Sequence, residues 1–320
     1  MHCLPTKIKI QTPRLLTKID RFILHYYNKQ GDNGENMTSL AINNGLTLIA
    51  TPIGNLRDVT FRAIDALMQA DQILCEDTRV SRKLLNHYNI HTKLTSYHEY
   101  NATSLRPKII QALQQGKKIA LISDAGTPNI SDPGYKLVES CLANDIQVST
   151  IPGPTAVVAA LSISGLPTDN FYFGGFLPSK TKARKKTFAS LRKLDTTLIF
   201  YESPARLVAC LHDSLEYFAG RTAVIARELT KLHEDVRRAE ISELYNFYKG
   251  ITRVRGEIVF LISPPQKEAL YLSHEQIRKL LKERLTDETL KDAVRNLARE
   301  HSISRSLVYR LALEMKDVQC

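Results

Sequence analysis

The sequence predicts an α/β protein, two α/β halves followed by a small helical tail, in a chain of 320 residues. Three observations carry that expectation. From Leu46 to Pro152, short apolar runs alternate with helix-period stretches, as βαβ units and a mostly parallel sheet require. The pattern restarts after Ser164-Gly165-Leu166-Pro167 and stops at Pro264-Pro265. Beyond those prolines the apolar residues keep helical spacing.

Residues 1–36 are basic and poor in acidic residues, follow no sustained apolar period, and end in Gln30-Gly31-Asp32-Asn33-Gly34-Glu35-Asn36, a loop composition. Their apolar stretches are too short for a signal peptide. Met37 follows at once, so residues 1–44 are expected to be a disordered extension that begins at an over-called start codon. The first half, 45–155, offers strands at 46–50, 72–75, 94–97, 118–122 and 147–151, with helical spacing at 61–70, 79–88, 105–115 and 135–144. An apolar helix at 155–163 opens the second half, 156–264, whose strands are expected at 171–173, 197–201, 222–227 and 257–263. In the tail, 265–320, Leu290, Ala293, Val294, Leu297 and Ala298 form one stripe, and Ser304 caps a last helix. That spacing suits a helix-turn-helix with Arg305, Ser306, Tyr309 and Arg310 on its second helix, and more simply a plain helical packing unit.

Composition narrows the function. No stretch approaches bilayer length, and 24% charged with 43% hydrophobic residues is ordinary for a folded cytoplasmic protein, so no membrane contact is expected. Five scattered cysteines (Cys3, Cys75, Cys141, Cys210, Cys320) without a C-x-x-C pair argue against disulfides and against a cysteine zinc site. A net charge of +11 favours an acidic partner such as nucleic acid. The excess is concentrated at 180–193, where Lys180, Lys182, Arg184, Lys185, Lys186, Arg192 and Lys193 stand without an acidic residue. A solvated helix face explains such a run, and so does a grip on RNA phosphates.

Several chemistries are excluded. No G-x-G-x-x-G follows a strand, no P-loop or G-x-S-x-G is present, and the nine histidines form no ligand pair, so a dinucleotide fold, a serine hydrolase and a metal site lack support. What remains are loops at strand ends. Thr51-Pro52-Ile53-Gly54-Asn55, Ser123-Asp124-Ala125-Gly126-Thr127-Pro128 and Pro152-Gly153-Pro154-Thr155 combine Gly, Pro and hydroxyl residues, as a cradle for a small organic ligand requires. Glu76-Asp77-Thr78-Arg79, Glu202-Ser203-Pro204, Arg227-Glu228-Leu229-Thr230-Lys231 and Gly256-Glu257 add carboxylates suited to a cationic, hydroxyl-bearing ligand. Helix capping is the plain alternative for Asp77, Thr78, Ser203 and Thr230.

Taken in order, TPIGNL at 51–56, EDTR at 76–79, SDAGTPNISDPG at 123–134, PGPTA at 152–156, GFLP at 175–178, FYESP at 200–204, ARELTK at 226–231 and GE at 256–257 resemble one family. It is the branch of the tetrapyrrole (corrin/porphyrin) methylase superfamily that acts on small-subunit ribosomal RNA. The resemblance covers some two thirds of the chain and extends to LVYRLALEM at 307–315. It implies two α/β domains with S-adenosyl-L-methionine in the cleft between them, a homodimer, and 2′-O-methylation of a cytidine in the decoding region of 16S rRNA. On that basis Pro52, Gly54, Asp124, Ala125, Gly126, Thr127, Pro128, Gly153, Thr155, Ala156, Glu202, Glu228 and Gly256 are the expected cofactor residues, with no metal. Lys180, Lys182, Arg184, Lys185 and Lys186 are expected to bind RNA. Asp77 is expected to orient or deprotonate the ribose hydroxyl, with Glu202, Glu228 and direct proton loss to water as alternatives, and Arg79 is expected to hold a phosphate. A tetrapyrrole methyltransferase and a DNA-binding regulator that reads through its tail are the competing functions.

Overall fold

The computed structural model describes residues 42–265, 272–301 and 303–317. The first sheet holds five parallel strands: β1 (Gly45–Ile49), β2 (Gln72–Cys75), β3 (Leu94–Ser96), β4 (Lys118–Leu121) and β5 (Val148–Ile151), in spatial order β3-β2-β4-β1-β5. Helices α1 (Phe61–Gln69), α2 (Thr78–His87), α3 (Glu99–Gln114) and α4 (Tyr135–Leu142) connect them. They cover both faces, building one core around Ile49, Leu67 and Ile73 and another around Leu46, Leu74 and Leu137. Burial from both sides explains why β1, β2 and β4 are mostly apolar, with Thr47 buried inside β1 and only the first residues of β2 and β4, Gln72 and Lys118, strongly polar.

Two expectations about this half change. Ile42 is buried in the first core, so the fold reaches back before 45; the rest of the expected extension lies outside the described residues. Helix α3 starts at Glu99 and not at 105, because Asn101 Oδ1 accepts from His98 N at 2.9 Å and fixes an earlier first turn. Its opening turns are polar and Tyr100 is 96% exposed, so they carry no apolar period to read.

The second half begins with α5 (Ala156–Ser164) and holds β6 (Phe171–Phe176), β7 (Thr197–Glu202), β8 (Thr222–Arg227), β9 (Asp235–Glu240) and β10 (Ile258–Ile262), ordered β6-β7-β10-β8-β9. Only β6 and β7 pair in parallel; the other neighbours are antiparallel. Strand β9, Asp-Val-Arg-Arg-Ala-Glu, was not foreseen. Edge strands are commonly charged to discourage intermolecular pairing, and this composition hides a strand from apolar periodicity. Helices α6 (Thr181–Leu191), α7 (Leu207–Phe218) and α8 (Ile241–Lys249) share the core on one face with Phe200 and Phe260. The other face packs Ile199, Val224 and Leu261 against α5 and against Ile53 from the first half. Helices α9 (His274–Arg284), α10 (Leu290–Glu300) and α11 (Arg305–Asp317) close a separate small core around Leu281, Leu297 and Val308. No helix among the described residues is long and apolar enough to cross a membrane.

Candidate functional site

Because the first sheet is parallel, the loops after β1, β2, β4 and β5 leave at one edge. Two of them are stitched together: Thr51 N donates to Gly126 O at 2.9 Å, and Gly126 N donates to Thr51 O at 3.0 Å. Thr51 Oγ1 donates to Ser123 O at 3.2 Å, and Thr127 Oγ1 donates to Pro154 O at 3.2 Å, which adds the β5 loop. Gly126 sits at φ +82°, a left-handed angle that side chains disfavour.

Between these loops and the second sheet lies a cavity of about 340 Å³, within the roughly 300–1,000 Å³ range of small-molecule sites. Asp124, Ala125, Gly126, Thr127, Thr155 and Ala156 line it from the first half, and Tyr201, Glu202 and Gly256 face them from the second. Ile53, Leu229 and Val259 supply apolar wall. Glu202 is only 2% exposed. Its Oε1 accepts from Ser203 N at 2.7 Å and pairs with Arg206 at 2.9 Å, and the Cys210 thiol of α7 hydrogen-bonds to the carboxylate, which therefore faces α7 and not the cavity. Burial and the Glu202 charge push up the thiol of the nearby, buried Cys210.

A second, more open cavity of about 860 Å³ adjoins the first, and Asp124 and Asp132 line both. Glu76, Asp77, Arg79, His98 and Tyr100 form much of its remaining wall. Burial pushes the Glu76 and Asp124 carboxyls up, with the neighbouring carboxylates adding to each shift. Among the described residues no cluster suits a metal ion.

Not every expected residue stands where the sequence placed it. Pro52 and Gly54 line an adjoining cavity, not this one. A Cβ on Gly54 would lie 2.6 Å from Lys231 Cγ and 2.8 Å from Leu229 O, so this glycine serves a close approach between the two halves. Glu228 is turned the same way: its carboxylate accepts from Lys231 Nζ at 2.8 Å and from Glu257 N at 3.0 Å. Gly153 packs on Ala50, 3.0 Å from where its Cβ would be, and Pro128 is buried without lining the cavity. Asp77 takes the helix-capping position that was its plain alternative. It caps α2 by accepting from Arg79 N at 2.8 Å and pairs with the Arg79 guanidinium at 2.6 Å, which holds its carboxyl down to about 2. So weak a base is a poor proton acceptor at neutral pH. Asp132, Tyr201 and Glu257 were missed as lining residues although all three lie inside quoted motifs, whereas Ile53, Leu229 and Val259 look like ordinary core residues in sequence.

The sequence profile of the Tetrapyrrole (Corrin/Porphyrin) Methylases matches residues 45–245. The chain belongs to the tetrapyrrole methylase family. It is 45% identical over 273 residues to the ribosomal RNA small subunit methyltransferase I of Mesorhizobium japonicum, covering 85% of this chain and 92% of that one. The protein of the same name from Escherichia coli O157:H7 is 39% identical over 275 residues, covering 85% and 95%. Two solved structures share the tetrapyrrole methylase fold. Diphthine synthase aligns with a TM-score of 0.55 at 12% identity, covering 68% of this chain and 89% of that one. Cobalt precorrin-4 methyltransferase aligns with a TM-score of 0.54 at 15% identity, covering 70% and 95%.

In this family member the basic run forms α6, directly after β6 delivers Phe176 to the cavity wall. Lys180, Lys182 and Lys186 are exposed, and Lys185 pairs with Glu216 at 2.7 Å. Arg184 does not belong with them. It is 1% exposed, bonded to Asp213 at 2.5 Å and to the carbonyls of Pro178 and Ser179 at 3.2 Å, so it fastens the start of α6 to α7. Arg184→Met is expected to lower unfolding free energy by about 3–5 kcal/mol in denaturant titration, because it strands the buried Asp213 charge.

Proposed function

We propose that this protein transfers the methyl group of S-adenosyl-L-methionine to the 2′-hydroxyl of a cytidine in the decoding region of 16S rRNA, with the small ribosomal subunit as substrate. The names of the relatives in Mesorhizobium japonicum and Escherichia coli support the ribosomal substrate. The observation that carries the reading is the cavity between the two halves, which sets apolar wall from Ile53, Leu229 and Val259 beside the carboxylates of Asp124, Asp132 and Glu257. That chemistry fits a nucleoside bearing a cationic sulfonium. Asp124, Asp132 and Glu257 would accept from its hydroxyl or ammonium donors and balance its charge. The bound group supplies a methyl carbon activated by positively charged sulfur.

The residues themselves supply alignment. Gly126, Thr127, Thr155 and Ala156 fix one wall through loops tied to each other by backbone, and such rigidity favours an in-line displacement. Lys180, Lys182 and Lys186 are exposed on and just before α6, the helix that follows the lining residue Phe176, where they would grip phosphates while the target nucleotide reaches inward. A tetrapyrrole is disfavoured because the relatives at 39–45% identity are named for ribosomal RNA. A DNA-reading regulator is disfavoured because relatives aligned over 85% of this chain are named as methyltransferases. The family resemblance further supports a cytoplasmic homodimer. Incubation with small ribosomal subunits and labelled S-adenosyl-L-methionine is expected to label the RNA, and its failure despite cofactor binding would remove the ribosomal substrate.

A further inference from the structure

We infer that the target ribose enters through the open acidic cavity and that Asp132, where that cavity meets the closed one, accepts the proton of its 2′-hydroxyl. The inference rests on the methyl-transfer reading above and adds a residue and a route to it. Only two residues line both cavities. One of them, Asp124, is committed to the scaffold, since its Oδ1 accepts from Asp77 N at 3.1 Å. Asp132 is half-buried at the same junction. Across the narrower cavity Asp132 meets Tyr201 and Glu257 of the second half, so its carboxylate belongs to both spaces. A hydroxyl that comes in from the open side therefore passes Asp132 before it reaches the closed cavity.

The surroundings of Asp132 suit a base near neutral pH. Burial pushes its carboxyl up to about 6, the Glu76 charge adds to this, the Ser123 hydroxyl opposes it and Asp124 adds a little more. Asp77 and its partner Arg79 also face the open cavity from the loop after β2, and His98 and Glu99 face it from the start of α3. On the closed side stand Tyr201 and Glu202 at the end of β7 and Glu257 beside β10. Tyr201 is pushed up to about 12, by burial first and by Asp132 next, so it stays neutral and does not compete as a base. Above its midpoint Asp132 is ionised and ready to accept; below it the group is already protonated.

The step balances. The O–H bond breaks toward the Asp132 carboxylate, the oxygen pair forms the bond to the methyl carbon, and the carbon–sulfur pair stays on sulfur as a neutral thioether. The carboxylic acid then loses its proton to water through the open cavity. No oxidant or metal is called for.

Asp132→Asn tests the inference in the full chain, with Asp132→Ser as a second variant should the amide disturb the loop. Single-turnover methylation of small ribosomal subunits is expected to fall at least about a hundredfold, within the range of a positioned base, and the wild-type rise in rate through about pH 6 should vanish. Titration of the cofactor-free protein by carbon-13 NMR of labelled aspartates should show one carboxyl with a midpoint near 6 that is missing from the variant. Binding of S-adenosylhomocysteine by calorimetry and the melting temperature should stay close to wild type. A folded variant that binds and methylates at the wild-type rate, or a wild type with no such carboxyl, overturns the role of Asp132. Loss of cofactor binding in the wild type would instead overturn the methyl-transfer reading.

Discussion

Gly126→Val is expected to abolish binding of S-adenosyl-L-methionine in a calorimetric titration while leaving the protein folded. Three features at this position combine. The backbone stands at φ +82°, where a β-branched residue pays about 1–2 kcal/mol for the angle alone. The new Cβ would stand 3.4 Å from Ile53 Cγ2 and its methyls would extend further, into a cavity both residues line. Gly126 also carries both hydrogen bonds of the bridge to Thr51, so relief of the strain by a backbone shift would pull apart the β1 and β4 loops. Melting temperature should fall only modestly, because the loop caps the sheet and the main cores lie elsewhere. Affinity equal to wild type would show that the loop is not the cradle.

Reversing Lys180, Lys182 and Lys186 to Glu together is expected to cut affinity for small ribosomal subunits by orders of magnitude. Each lost phosphate contact releases fewer counterions, so the slope of log affinity against log salt should flatten by about 0.7–0.9 per lysine. These three side chains are exposed, so the substitution leaves the fold intact. Arg184 is left alone in this design because its guanidinium holds Asp213 and is unavailable to RNA. Filter binding across a salt series gives the slope, and calorimetry on the same variant should return unchanged cofactor affinity. An unchanged slope would return α6 to the role of a solvated helix.

What could be read in advance follows a physical divide. Strands buried on both faces, such as Ile-Leu-Cys at β2 and Thr-Ala-Val-Ile-Ala-Arg at β8, announce themselves by apolar runs, and the glycine at 126 announces its turn. The cradle was legible for the same reason: loops rich in Gly, Pro and hydroxyls have few other uses at strand ends. Strand β9 was not legible, since the partners of its edge residues, not their polarity, make it a strand. Charge alone could not separate Lys186 from Arg184 two residues earlier, for only the three-dimensional contact with Asp213 marks one as buried. Nor could it rank the acidic residues. Asp77 and Asp132 look alike in sequence, yet a neighbouring guanidinium pins the first to about 2 while burial lifts the second to about 6. Gly54 misled in another way, because the need for a small residue came from the loop at 229–231, far away in sequence.

The central claim is that the joined cavities bring a methyl donor and a ribose of small-subunit RNA together. Its most direct test is nucleoside mass spectrometry of 16S rRNA from small subunits that lack the modification, after incubation with the purified protein and isotopically labelled S-adenosyl-L-methionine. The account predicts one labelled nucleoside, 2′-O-methylcytidine, in a fragment from the decoding region. Label on a base, or RNA without label from a protein that binds the cofactor, would contradict it.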